Sequence, residues 1–107
     1  GNEASKQGGG IYLKPVTFTM TGGNITNNKT NDGGAIFVSK GSGSSSGATI
    51  NYGGGSISGN SSSNATKAGI YCDATTATNK GIINYTASDA TIADVITNMT
   101  VNPYTSN

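Results

Sequence analysis

A repeat of unequal copies constrains this chain more than any other feature, because a segment that returns in the same sense must return to the same local structure. The first copy reads GGGIYL (Gly8 to Leu13), VTFTM (Val16 to Met20) and GGNITNN (Gly22 to Asn28). The second reads GGAIFV (Gly33 to Val38), ATINY (Ala48 to Tyr52) and GGSISGN (Gly54 to Asn60), and the third KAGIYC (Lys67 to Cys72), GIINY (Gly81 to Tyr85) and a divergent tail. The uninterrupted spacing is 25 residues, from Ile11 to Ile36. Insertions such as GSGSSSG (Gly41 to Gly47) fall between segments, so the segments keep their register. Three short strands and three corners in one such repeat suit one coil of a parallel β-helix, in which coils stack at about 4.8 Å. The fold expected is therefore all-β, a parallel β-helix (solenoid) fragment of about three coils of three short strands. A hairpin meander would suit the turn residues but not the same-sense return.

Alternation says which side chains face inward. In IYL, IFV and IYC it buries Ile11 and Leu13, Ile36 and Val38, Ile70 and Cys72, and it turns Tyr12, Phe37 and Tyr71 outward. In the second segments Phe18 and Met20 stack on Ile50 and Tyr52, and these on Ile83 and Tyr85; in the third, Ile25 stacks on Ile57. The corners carry Gly and Asn, which reach positive φ at least cost. Asn28 and Asn60 hold matching positions, where stacked side-chain amides can exchange hydrogen bonds.

Such ladders must make up for a thin core. Only 33% of the 107 residues are apolar and 10% are charged, a composition that leans toward disorder unless backbone pairing helps. Frequent Ile, Val and Thr with a net charge of +1 favour β structure instead. Six Lys, five acids and no Arg or His stand singly along the chain, which argues against a nucleic-acid partner. Cys72 is the single cysteine, so no internal disulfide forms and no Cys cluster holds a metal; it reads as a small buried hydrophobe. No apolar run approaches the roughly 18 residues of a membrane-spanning helix, so membrane insertion by this segment is not expected.

With the segments laid out, GGGIY, FTMTGGNITNN, GGAIF and ISGN resemble the polymorphic outer-membrane-protein type repeat of bacterial surface proteins and autotransporter passenger domains. The resemblance covers roughly residues 8 to 72; KAGIYC departs from the GGGIY form. It implies a right-handed parallel β-helix displayed at the bacterial cell surface or secreted, non-enzymatic, in an adhesin-like or structural stalk role. Tyr12, Phe37 and Tyr71 would then form an outer aromatic strip for a host glycan or a surface protein.

Other chemistries fit less well. Polysaccharide-cleaving β-helices need clustered acids with a base, or carboxylates roughly 5 to 9.5 Å apart, and Glu3, Asp32, Asp73, Asp89 and Asp94 include no adjacent pair. The alternative is a carbohydrate-binding or carbohydrate-active β-helix whose active site lies elsewhere in a parent chain. A Thr array for ice is not sustained: Thr17 and Thr19 face Thr49 with Asn51, then Ile82 with Asn84. GGGSISGNS lacks the Asp of calcium-binding Gly-rich repeats. No catalytic residue, cofactor or metal ligand is assigned.

The expected organisation is an end of a preceding coil or tag remnant at residues 1–7, coils at 8–87, and a divergent C-terminal coil or cap at 88–107. Asn2 stands where Asn28 and Asn60 stand. In the tail, Ile92, Val95, Ile96 and Met99 have helical spacing after Ser88, but the β-branched Thr91, Ile92, Val95, Ile96 and Thr97 favour strand. A long tail can fold over its own end, so end-to-end self-association of the isolated fragment is expected at the N-terminal coil.

Overall fold

The computed structural model describes residues 9–105. The expected half-coil at residues 1–7, with Asn2 and Glu3, lies outside the described residues. Within them the chain is all-β, with short strands and parallel pairing throughout the sheets. Strands β1 (Ile11–Leu13), β5 (Ile36–Val38), β9 (Ile70–Cys72) and β11 (Ile96–Thr97) form one four-stranded sheet in that order. A second contains β2 (Thr17–Met20), β6 (Thr49–Tyr52), β10 (Gly81–Tyr85) and β12 (Met99–Asn102). Two smaller sheets pair β3 (Asn24–Thr26) with β7 (Ser56–Ser58), and β4 (Lys29–Thr30) with β8 (Ser61–Ser62).

The register follows the repeat. Ile11 pairs with Ile36 and Ile36 with Ile70; Phe18 pairs with Ile50 and Ile50 with Ile83; Ile25 pairs with Ile57. Ile36, Val38, Ile50, Tyr52, Ile70, Cys72 and Ile83 are fully buried, while Thr19 is exposed. Inward residues of β1, β5, β9 and of β2, β6, β10 thus meet in one core, flanked by Ile11, Phe18 and Ile25 at one end and by Ile96 and Met99 at the other. Burial of like residues in columns lets each short strand supply one or two large side chains and still close a continuous interior.

Two features exceed the expected three coils of three strands. The polar pair β4 and β8 adds a fourth segment, held by Ser61 N donating to Asn28 O at 2.9 Å. It has no apolar alternation to announce it. The tail makes a further pass in strands, not a helix: Ile96 pairs with Ile70, and Thr100 with Ile82. Only Asn98, at φ 60°, separates β11 from β12, a corner that Asn reaches more readily than most residues.

The insertions are stacked as well. Gly41 N donates to Asn79 O and Gly47 N to Lys80 O, both at 3.0 Å. Asn79 Oδ1 in turn accepts from Thr75 N and Thr76 N at 3.2 and 3.1 Å. These bonds tie the second insertion to the third and keep the ladders aligned on either side of them.

Candidate functional site

The outer face of the first sheet carries the aromatic residues singled out from sequence. Tyr12 pairs with Phe37 and Phe37 with Tyr71 in strict strand register. The Tyr12 and Phe37 rings stack with centroids 5.0 Å apart at 26°, and Phe37 and Tyr71 lie 6.0 Å apart at 50°. The three rings therefore form one ladder, as offset aromatic pairs prefer. They are not equally available. Tyr12 is 46% exposed and Tyr71 half-buried, but Phe37 is only 1% exposed.

The burial of Phe37 corrects the expected three-ring outer strip: the Tyr12 and Tyr71 rings flank it on either side. The Gly33 corner, at φ 69°, approaches the Phe37 backbone so closely that a Cβ there would stand 2.8 Å from Phe37 N. Phe37 acts as the spacer that holds Tyr12 and Tyr71 in line; those two rings carry the accessible surface.

A charged pair borders the strip. The 3₁₀ turn Ala65–Lys67 is capped by Asn64, whose side chain accepts from Thr66 N. This turn delivers the Lys67 ammonium to 4.8 Å from the Tyr71 ring centroid and 3.1 Å from Asp32 Oδ1. The Asp32 hydrogen bond is the largest influence on Lys67 and raises its pKa, while burial opposes it more weakly. The backbone fixes the same junction, since Gly33 N and Gly34 N both donate to Lys67 O, at 2.8 and 3.0 Å. Sequence reasoning named the rings but missed Lys67 and Asp32. The signal was present in their positions, Asp32 just before the Gly-rich start of the second copy and Lys67 opening the third.

Two polar ladders complete the arrangement. Asn28 donates its backbone N–H and its side-chain amide to Asn60 Oδ1, at 2.9 and 3.0 Å. Asn60 continues the column: its N–H and Nδ2 donate to Asp94 Oδ2 at 3.2 and 2.6 Å, and Nδ2 also reaches Ile25 O at 2.9 Å. On the outer face of the second sheet, Asn102 Nδ2 donates to Asn84 Oδ1 at 2.8 Å and Asn84 Nδ2 to Asn51 Oδ1 at 3.1 Å. Asn84 and Asn102 each pass a donor one strand back, and the oxygens of Asn51 and Asn84 each accept from the strand ahead.

These bonds also account for most of the acids. Asp32 pairs with Lys67, Asp73 Oδ1 accepts from Lys40 N at 2.7 Å, and Asp94 joins the Asn ladder; Asp89 is exposed. Among the described residues no three His, Cys, Asp or Glu side chains come together as a metal site. The Cys72 thiol is buried, and desolvation raises its pKa, the opposite of what a reactive thiolate requires. No protein-family model matches the chain, and neither do the curated proteins or the solved structures compared with it.

Proposed function

We propose that this chain is a segment of a right-handed parallel β-helix in a bacterial surface-displayed or secreted protein, serving as a non-enzymatic, adhesin-like or stalk module. The observation that carries the reading is the register: the same residue of each copy pairs in parallel with its counterpart, from Ile11 through Ile36 and Ile70 to Ile96. Right-handedness follows from the general preference of parallel crossovers and from the repeat that the sequence resembles. Stacked backbone pairing with polar ladders gives a rigid rod from little apolar material, which suits a part that carries a surface outward.

Recognition falls to the Tyr12 and Tyr71 rings beside the Lys67–Asp32 pair. Exposed rings offer C–H faces of a sugar a stacking partner, and an adjacent ammonium and carboxylate offer its hydroxyls a donor and an acceptor. A glycan of the host surface fits this chemistry best. Antibody raised against the chain should stain intact cells that express the whole protein; staining only after lysis overturns the display. On a glycan array the chain should bind, and the Tyr12→Ala/Tyr71→Ala variant should not. Unchanged binding by that variant, or none by the unaltered chain, removes the strip as the site.

A further inference from the structure

The Lys67–Asp32 contact joins the starts of the second and third copies, away from the first and last strands, and each partner sits on a corner that is tied down independently of it. Before Asp32, Ser62 Oγ donates to Asn31 O at 2.6 Å and Ser63 Oγ to Asn31 Oδ1 at 3.3 Å. After it, Gly33 holds φ 69°, and Gly34 is packed so closely that an added Cβ would strike Ala68 O. Before Lys67, Asn64 Oδ1 accepts from both the N–H and the hydroxyl of Thr66, at 3.1 and 2.8 Å, and Thr97 Oγ1 of the following pass donates to Thr66 O.

An ion pair whose side chains are 29% and 30% exposed adds little stability, so the strength of the contact does not account for this bracing. What the bracing does produce is a donor and an acceptor fixed 3.1 Å apart at the edge of the ring strip, with the Tyr71 ring holding the ammonium from one side at 4.8 Å. Adjacent hydroxyls of a sugar ring stand about 2.8 Å apart, the length of an O–H···O hydrogen bond. One of them can accept from Lys67 Nζ while its neighbour donates to the Asp32 carboxylate, because a hydroxyl does both, an ammonium only donates and a carboxylate only accepts.

We infer that Asp32 sets the ligand class of this site: a neutral glycan that presents two adjacent unsubstituted hydroxyls, and not one that carries a carboxylate or sulfate there. The inference rests on the glycan reading above and narrows it. Lys67 alone would favour acidic sugars, since an ammonium attracts any anion. With Asp32 at 3.1 Å the pair carries no net charge. An anionic group also offers acceptors only; it can take a hydrogen bond from Lys67 but then lies against the Asp32 carboxylate, and such a like-charge contact is how an interface rejects the wrong partner.

Matched glycans on one array, each neutral and again capped with a carboxylated sugar or a sulfate, test this. The unaltered chain should retain the neutral member at least about tenfold better. Asp32→Asn keeps the shape and removes the charge, so it should bring the acidic member up to or above the neutral one, and the binding gained should fade as salt is raised. Its melting temperature should stay close to that of the unaltered chain, which separates selectivity from damage to the fold. If Asp32→Asn melts early, Lys67→Gln probes the pair from the other side: it should weaken retention of the neutral member and leave the acidic one unbound, and full retention of the neutral member would take the pair out of the site. Equal or better retention of the acidic member by the unaltered chain overturns the inference and leaves the glycan reading standing. So does a preference for the neutral member that Asp32→Asn leaves intact. Retention of no glycan by either chain overturns both.

Discussion

Asn60 Nδ2 donates to the Asp94 carboxylate at 2.6 Å, while Asn60 Oδ1 accepts from Asn28 Nδ2 at 3.0 Å. An acid thus ends a column of asparagines that the repeat begins. Asp94 accepts from both the backbone and the side chain of Asn60, and removing it leaves two donors of a buried residue without that partner. Asp94→Ala should lower stability by about 1 to 2 kcal/mol. Asp94→Asn keeps an acceptor oxygen and should lose less. Urea unfolding of the two variants beside the unaltered chain checks this; negligible losses in both would mean that the contact matters little, and equal losses that the acceptor oxygen is not what stabilises.

The alternation can be tested at one inward and one outward residue. Ile36 is fully buried between Ile11 and Ile70, whereas Thr19 is exposed. Ile36→Asp buries an unpaired carboxylate and should cost several kcal/mol, on the order of the whole stability of a small domain. Thr19→Asp should stay within about 0.5 kcal/mol. Thermal melts that show equal, mild effects at both sites would contradict the assigned facing.

What the sequence made legible was the part of the fold with apolar alternation. Ile11, Ile36 and Ile70, then Ile50 and Ile83, then Ile25 and Ile57 could be placed in columns because each recurs between outward neighbours, and Asn28 with Asn60 could be placed at a corner. The polar strands Lys29–Thr30 and Ser61–Ser62 offered no such pattern. Ile96 to Asn102 was strand-prone but lacked the Gly-rich start and long corner of the other copies, so its place in both sheets was hidden. Phe37 failed for another reason. Alternation sets the side from which a side chain leaves the strand, but burial depends on what the next pass and the nearest corner lay over it.

Glycine gives a third, sharper test, since two adjacent-glycine corners look alike in sequence and differ in structure. Gly34 lies outside the left-handed region; it is required because a Cβ there would strike Ala68 O and come within 2.6 Å of Ser61 O. Gly22, also outside that region, would place a Cβ in open space. Gly34→Ala forces two passes apart and should cost about 1 to 3 kcal/mol. Gly22→Ala should be neutral or stabilise by up to about 1 kcal/mol through the unfolded chain. Chemical denaturation of both variants settles it, and a Gly34→Ala variant as stable as Gly22→Ala would refute the close approach.

Alkaline pH probes the interior from the chemical side. Cys72 is fully buried beneath the β5–β9 pairing, and desolvation raises its pKa more than backbone hydrogen bonds from Gly81 and Ala74 lower it. A group whose pKa is higher in the folded state than in the unfolded chain contributes stability that is complete below the unfolded value and lost as pH rises through the folded one. For the thiol the loss begins near the ordinary value of 9.0, and for Tyr52 and Tyr85, also raised by burial, near 10.0. The melting temperature should therefore begin to fall near the thiol value and fall further past the phenol value. In Cys72→Ala the first part of that decline should disappear while the second remains. Thiol labelling of the unaltered chain near neutral pH should in turn proceed only as fast as the fold opens. Prompt labelling of the native chain, or a Cys72→Ala melting profile parallel to the unaltered one across the thiol range, would show that Cys72 is not sealed in the core.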